Sequence, residues 1–197
     1  DIFTGKSSPR FLIRLDWTNV LRGEEYPLLT HKFEYVPVAS ILNAVRVGAD
    51  GVVVSHLLGY GDEIEANSFR NLNKVIRDSY NEGLPVFAHF CPFGPGISEE
   101  RFDIAVEMGV SMEFEAGVDA IFVPEVKGQT YENIRKFCSI PLFVWIKDKG
   151  ITVNALLESI NCGIKGFVFG KDFFVNRKAL DHLLKLVKEF DEQDFKK

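Results

Sequence analysis

The feature that most constrains the fold of this sequence is a regular alternation of short apolar runs with longer amphipathic stretches. The apolar runs are rich in β-branched and aromatic residues and occupy residues 11–15, 50–56, 85–90, 119–123, 141–146 and 165–170. Runs that are apolar on both faces are typical of parallel strands buried between helices. The sequence therefore predicts an α/β fold with six strands in a parallel sheet.

The stretches between these runs predict the helices that connect the strands. Apolar residues recur there at steps of three and four, within residues 38–47, 64–81, 98–117, 152–161 and 177–190. Ser98 is predicted to cap the third of these helices, since serine is a favoured N-cap residue. Strand starts recur about every 20–40 residues, the length of one βα unit, so right-handed crossovers are expected.

The length of the chain bears on whether the sheet closes into a barrel. The chain has 197 residues, of which 46% are hydrophobic, and no linker interrupts it, so we predict one domain over residues 1–197. A closed eight-stranded barrel needs about 250 residues. Two alternatives remain: a TIM-barrel type domain whose first two βα units are absent from this sequence, which we favour, or an open sheet.

Charge and cysteine content exclude several classes of protein. A net charge of -5 argues against a non-specific nucleic-acid binder, which normally has a basic surface. No run of about 18 apolar residues predicts a membrane span. The three cysteines are widely spaced and predict neither a disulfide framework nor a zinc motif. We expect a cytoplasmic protein with no nucleic-acid or membrane partner.

Several segments resemble a known family in their order and spacing. They are Ser-Ile-Leu-Asn-Ala-Val-Arg-Val-Gly-Ala-Asp-Gly-Val at residues 40–52, Tyr-Gly-Asp-Glu-Ile-Glu at 60–65, Glu-Gly-Leu-Pro-Val at 82–86 and Gly-Phe-Val-Phe-Gly-Lys-Asp-Phe-Phe at 166–174. Together they resemble class I aldolases of the archaeal fructose-bisphosphate aldolase type and the related autoinducer thiolase. The resemblance covers essentially the whole chain and aligns it with barrel units three to eight.

The resemblance also implies that part of the family's catalytic machinery is replaced. The family's sixth strand has a lysine that forms a Schiff base with the substrate carbonyl, and this chain has Phe122 there, which cannot form an imine. Cys91 stands where the family has an acid/base tyrosine. The glycine pair after the seventh strand is replaced by Ile146 and Lys147. The fold is therefore predicted more firmly than the family's reaction.

Part of the family's phosphate site is retained at the end of the last strand. Gly170 is followed by Lys171, in place of an arginine in the family. A glycine lets the backbone approach an anion, and the amides of the following turn can donate to it. We therefore predict that Gly170 and Lys171 bind phosphate, together with Asp16 as a further substrate-binding residue.

Other candidate site residues lie at the carboxyl ends of the predicted strands, where barrel enzymes place their active sites. His89 is predicted to be a general acid or base, since its ordinary pKa lies near neutrality, and the alternative is a core histidine. Glu125 is either a base, a metal ligand or solvated. Lys147 is the amine best placed to replace the family's lysine. His56 is a weaker candidate, and Cys91 is predicted to be a buried, unreactive thiol.

Three hypotheses for the function follow. The first is an aldolase-like enzyme acting on a small phosphorylated sugar through His89, Glu125 and Lys147, without a cofactor. The second is an inactive aldolase homologue that binds a ligand or a partner subunit. The third is a barrel enzyme of altered chemistry, in which Asp16, His89 and Glu125 hold a metal ion. Two missing strands would expose apolar edges of the sheet, so we expect a homo-oligomer or a segment that covers these edges.

Overall fold

Six parallel strands form a curled half-barrel, and a separate short hairpin lies beside it. The computed structural model describes residues 9–22, 27–28, 30–147, 151–170, 173–174 and 177–194. The strands of the half-barrel are paired in the order β1 (Leu12–Arg14), β4 (Gly51–Leu57), β5 (Val86–Cys91), β6 (Ala120–Pro124), β7 (Leu142–Ile146) and β8 (Gly166–Phe169). β2 (Asp16–Thr18) and β3 (Tyr35–Pro37) form the antiparallel hairpin. The predicted α/β barrel-type fold is confirmed.

Helices follow the strands and pack on one face of the sheet. They are α1 (Ile41–Arg46), α2 (Asp62–Tyr80), α3 (Phe102–Ala116), α4 (Gly128–Arg135), α5 (Val153–Asn161) and α6 (Arg177–Asp194), with a single 3-10 turn at Glu99–Arg101 before α3. None of the helices in these described ranges is long and apolar enough to cross a membrane.

Three details differ from the sequence prediction. The hairpin of β2 and β3 and the short helix α4 were not predicted, because neither segment has a sustained apolar period. The predicted capping role of Ser98 is wrong, since its side chain makes no capping hydrogen bond and the 3-10 turn precedes α3. Helix α3 therefore begins at Phe102 without a serine cap.

The outer face of the sheet and the helices enclose the main apolar core. Alternate residues of the strands, among them Val52, Val54 and Phe90, are fully buried there. Gly109 of α3 lies against the ring of Phe90 so closely that an added Cβ would overlap it. This close approach of helix and strand holds the back of β5 in place.

The opposite, inner face of the sheet is lined by rings. One row of the parallel register runs from Ser55 through His89 and Phe122 to Phe143. The rings of Phe122 and Phe143 meet edge to face, with centroids 5.9 Å apart, and Phe122 is only 8% exposed. This aromatic layer closes the floor of the half-barrel, so polar side chains nearer the carboxyl ends of the strands lie above an apolar base.

Candidate functional site

An arginine in the first strand is the centre of the polar cluster on the inner face. Arg14 lies beside β4, and its Nη1 donates to Ser55 Oγ at 2.5 Å and to Asp16 Oδ1 at 3.3 Å. Its Nη2 lies 2.7 Å from Nδ1 of His89, across β4 in the neighbouring strand. The Arg14 side chain is 33% exposed, so solvent reaches part of it.

Asp16 holds this arginine in place. Its side chain is fully buried, and its oxygens accept hydrogen bonds from the backbone N–H and hydroxyl of Ser55, from Arg14 and from the Tyr35 hydroxyl, the last at 3.1 Å. These four donors surround the carboxylate within the protein. This geometry suits a residue that holds Arg14 in place, and the substrate contact of Asp16 stays a prediction.

The unpredicted hairpin completes the support of Asp16. Tyr35 of β3 donates its hydroxyl hydrogen to Asp16 and accepts a hydrogen bond of 2.7 Å from the amide of Asn71 in α2. Burial, and then the neighbouring Asp16 charge, raise the pKa of Tyr35 well above its usual value, so it stays a neutral donor. Tyr35 also lines a groove of about 400 Å³ between the hairpin and the start of α2.

His89 lies between cationic and aromatic groups. Its ring packs edge to face on Trp145, with centroids 4.6 Å apart, and also contacts Phe122. Burial lowers the pKa of His89 well below its usual value, and the charges of Arg14 and Lys147 lower it further. His89 is thus a neutral imidazole at neutral pH, which suits a hydrogen-bond donor better than a source of positive charge.

Lys147, directly after β7, brings an amine to the same end of the sheet. Its Nζ lies 3.3 Å from the ring centroid of Phe93 and 4.7 Å from that of Trp145. Lys147 as a residue is exposed, and partial desolvation of its amine lowers its pKa, although the nearby Cys91 and Glu125 act in the opposite direction. A lysine with a lowered pKa has a larger neutral fraction and is a better nucleophile.

Glu125 and Gly170 follow β6 and β8, the strands on either side of β7. A carboxylate oxygen of Glu125 accepts a hydrogen bond of 3.4 Å from the backbone N–H of Lys147. Gly170 lies after β8, and a Cβ built there would be 3.5 Å from the indole nitrogen of Trp145. The predicted phosphate site therefore has an indole N–H beside its glycine, while Lys171 lies outside the described residues.

The two remaining candidates do not belong to this cluster as reactive groups. Burial raises the pKa of Cys91 to about 12, which supports the prediction of an unreactive thiol. His56 points to the outer side of the sheet, where its Nδ1 lies 3.0 Å from the carboxylate of Glu113 in α3. Within the described ranges, no three His, Cys, Asp or Glu side chains converge to hold a metal ion, so the structure does not assemble the predicted metal set.

Comparisons with known proteins agree with this architecture. No protein-family model matches the sequence. The chain is 30% identical over 180 residues to an uncharacterized aldolase of Saccharolobus solfataricus, an alignment that covers 87% of this chain and 65% of that protein. It thus spans less than two thirds of the length of this curated relative.

Solved structures show the same fold. A Schiff-base-forming fructose-1,6-bisphosphate aldolase superposes with a TM-score of 0.75 at 21% identity, over 93% of this chain and 72% of that one. An archaeal fructose 1,6-bisphosphate aldolase gives a TM-score of 0.74 at 20% identity, over 92% and 71% of the two chains. The chain is therefore similar in sequence to an aldolase and has the fold of these fructose-bisphosphate aldolases. The resemblance predicted from the sequence is confirmed.

At β6 the inner face of the half-barrel carries an aromatic ring. The described part of β6 has no lysine, and Phe122 contacts Phe87, His89 and Phe143 on the inner face of the sheet. The predicted inward orientation of this ring is confirmed. A phenyl ring there fills space and offers no amine.

The sequence alone did not single out Arg14, Ser55 or Tyr35. Arg14 is the one charged residue in the apolar run at residues 11–15. Since side chains alternate across a strand, a charge inside such a run marks the inner face of a sheet. That signal was available, whereas the contact of Arg14 with His89, 75 residues away, depends on the strand order.

Proposed function

We propose that this aldolase relative acts on a small phosphorylated sugar, or a similar anionic carbonyl compound, at the carboxyl ends of β1, β5 and β7. The observation that carries the proposal is the position of Lys147. Its amine has a lowered pKa and lies on the same inner surface as Arg14, since both of their charges act on His89. Catalytic sites of barrel folds lie at this end of the strands.

Two cations favour an anionic ligand. The charges of both Arg14 and Lys147 act on the buried His89 and Cys91, and the Arg14 side chain is partly exposed. An arginine that is held by a carboxylate presents its remaining N–H groups in a fixed direction, which suits phosphate or carboxylate oxygens. Gly170, Lys171 and the indole N–H of Trp145 form the second proposed anion contact.

Lys147 is the proposed nucleophile toward the carbonyl group. The lone pair of its neutral amine attacks the carbonyl carbon, and the electron pair of the C=O bond moves to oxygen, which takes up a proton. Loss of water from this carbinolamine leaves an imine between Lys147 and the substrate carbon. The protonated imine then accepts the electron pair of the bond between the α and β carbons, and as that bond breaks the β-hydroxyl loses its proton and becomes the carbonyl group of the released aldehyde. Protonation of the enamine left on Lys147, followed by hydrolysis of the imine, releases the second product and restores the amine.

His89 and Glu125 have the supporting roles in this proposal. His89 donates a hydrogen bond to the carbonyl oxygen while negative charge develops on it, the stage at which such donors contribute most. Glu125, bonded to the backbone N–H of Lys147, accepts the hydroxyl proton of the substrate as the carbon–carbon bond breaks.

A second function is favoured by one specific observation. The rings of Phe87, Phe122 and Phe143 fill the inner face where the family's lysine is expected. An aldolase homologue without catalysis, which binds a phosphorylated ligand or a partner subunit, would tolerate this filling.

Calorimetry tests the binding part of the proposal. Dihydroxyacetone phosphate is titrated into the wild-type protein and into Lys147→Met, with unphosphorylated dihydroxyacetone as the matched ligand. We expect binding of the phosphorylated compound, weakening with added salt because charges are screened, and a loss of at least fivefold in affinity in the variant. Equal affinity for both ligands would contradict an anion site.

Cytoplasmic location and homo-oligomeric assembly belong to the same proposal. Sedimentation equilibrium at several protein concentrations tests the assembly. A monomer at every concentration would remove it from the proposal and would leave the site unaffected.

A further inference from the structure

The contact between Arg14 and His89 fixes the position of a proton. Nη2 of Arg14 lies 2.7 Å from Nδ1 of His89, within hydrogen-bond distance. Arginine has no acceptor atom and keeps its charge at every pH at which proteins are folded, so it must be the donor. Nδ1 therefore accepts with its lone pair, and in the neutral ring the proton is on Nε2.

The guanidinium is itself held from several sides. Nη1 of Arg14 donates to both Asp16 and Ser55, and the carboxylate of Asp16 is bonded to the Tyr35 hydroxyl. Tyr35 is held in turn by Asn71 of α2. Because the side chain of Asp16 is fully buried, its charge strongly favours retention of the facing Arg14 cation.

We infer that Arg14 is a positioning residue that holds His89 in the neutral tautomer with its proton on Nε2, and that Asp16, Ser55 and Tyr35 hold Arg14 for this purpose. His89 is then a fixed hydrogen-bond donor through Nε2. The statement that this donor serves a substrate carbonyl oxygen rests on the proposed function, whereas the tautomer does not.

The cationic groups that face His89 oppose its protonation, and the other groups packed on its ring are neutral. Arg14 faces it from β1 and Lys147 from the end of β7, and both are cationic. The thiol of Cys91 on the same strand is neutral because its pKa is raised to about 12. Trp145 of β7 and Phe122 of β6 carry no charge. The carboxylate of Asp16 accepts from Nη1 of Arg14, whereas His89 is bonded to Nη2.

Nitrogen NMR of the imidazole tests the inference on the wild-type protein without a ligand. A protein labelled with ¹⁵N in its histidines gives separate signals for protonated and unprotonated ring nitrogens, and the variant His89→Asn identifies the signals of His89. We expect a protonated Nε2 and an unprotonated Nδ1, unchanged from about pH 5.5 to about pH 8. A protonated Nδ1, or an imidazolium that titrates near the ordinary value of about 6.5, would overturn the inference.

Variants of Arg14 separate its hydrogen bond from its charge. In Arg14→Met, His89 should lose the single tautomer and titrate closer to the ordinary value. In Arg14→Gln, the amide can still donate to Nδ1, so the tautomer should be retained in part without the positive charge. Arg10→Met, which removes an exposed arginine paired with Asp50 near the start of the same strand, is the matched control and should leave the His89 signals unchanged.

A milder variant covers the case in which Arg14→Met does not fold. Tyr35→Phe removes one of the four donors to Asp16 and leaves Arg14 and His89 intact. We expect faster exchange of the Nε2 proton of His89 with water in this variant, with the tautomer retained. An unchanged exchange rate would show that the hairpin does not hold the arginine. Failure of imine formation at Lys147 would leave all of these results standing, so the two proposals fail separately.

Discussion

At the scale of single residues, the environment of Lys147 decides what this site can do. Two opposed effects act on its amine. The rings of Phe93 and Trp145 attract the ammonium form by about 0.5–2 kcal/mol through cation–π contacts. Burial against the same groups removes water from the ammonium, and this larger effect lowers the pKa of Lys147.

The first prediction follows from that balance. Reductive trapping of a carbonyl compound on Lys147 should increase with pH, with a midpoint below the ordinary lysine value of about 10.4. In Phe93→Ala, water reaches the amine, and the midpoint should move up toward that value. Trapping rates measured at several pH values by mass spectrometry check this. Phe102→Leu is the control, because it changes a ring that packs on Phe93 and leaves Phe93 itself beside the amine. A midpoint that falls in Phe93→Ala would show that the cation–π contact outweighs desolvation.

A second residue-scale prediction concerns the buried pair of His56 and Glu113 behind the sheet. Both side chains are fully buried, and burial raises the pKa of Glu113. An acid with a raised pKa in the folded state stabilises the fold at pH values below its unfolded pKa, and this contribution is lost as the pH rises through the folded pKa. Glu113→Gln, which is always neutral, should therefore gain stability relative to the wild type between about pH 5 and about pH 8.

Urea unfolding at both pH values measures this difference. The exposed Glu115→Gln on the same helix is the matched control and should show a much smaller dependence on pH. If Glu113→Gln gains no stability relative to the wild type as the pH rises, burial does not raise the pKa of Glu113 in the folded protein.

At the scale of elements, the contact between α3 and β5 connects the outer core to the site. Gly109 gives the ring of Phe90 its space, and Phe90 precedes Cys91 and follows His89 in β5. The strand that carries the imidazole is thus supported from behind by a helix that approaches closely at one glycine.

The third prediction tests this support. Gly109→Ala improves the intrinsic helix propensity by about 1 kcal/mol, but its methyl group overlaps the ring of Phe90, and overpacking costs about 1–3 kcal/mol. We expect a net loss of up to about 2 kcal/mol in unfolding free energy, measured by denaturant titration. Phe90→Leu should partly rescue Gly109→Ala. Met108→Ala, at a half-exposed position of the same helix, should change stability little. A stabilised Gly109→Ala would show that the helix shifts freely on the sheet.

Elements differ in how far the sequence predicts them. The six parallel strands were predicted because a strand buried on both faces leaves a continuous apolar run, as residues 50–56 show. The hairpin of β2 and β3 leaves no such run, since Trp17 and Val36 are exposed there and its strands have only three residues each. Short, half-exposed pairs of strands depend on tertiary contacts, here the bond from Tyr35 to Asp16.

The site was predicted only in part for a related reason. Strand ends identify His89, Glu125 and Lys147 as neighbours of the open end of the sheet, because parallel strands end at one edge. Which donor meets which acceptor depends on strand order and on the side to which each residue points. The pairing of Arg14 with His89 depends on β1 lying beside β4 and β4 beside β5. The apolar periodicity of the sequence does not contain the order of the strands.

At the scale of the whole molecule, the half-barrel has the fold of the aldolases with which it superposes. Its inner face is filled by rings at β6. The open carboxyl end of the sheet has Arg14, the neutral imidazole of His89 and, after β7, Lys147. The central claim of the proposed function is that Lys147 forms the imine with the substrate.

Covalent trapping tests this claim most directly. The protein is incubated with dihydroxyacetone phosphate, reduced with borohydride and digested, and the modified lysine is mapped by mass spectrometry. We predict one adduct, on Lys147, which is absent in Lys147→Met and unchanged in the control Lys127→Met, at an exposed position before α4. Binding of the ligand without an adduct, or an adduct on any other lysine, would contradict the account.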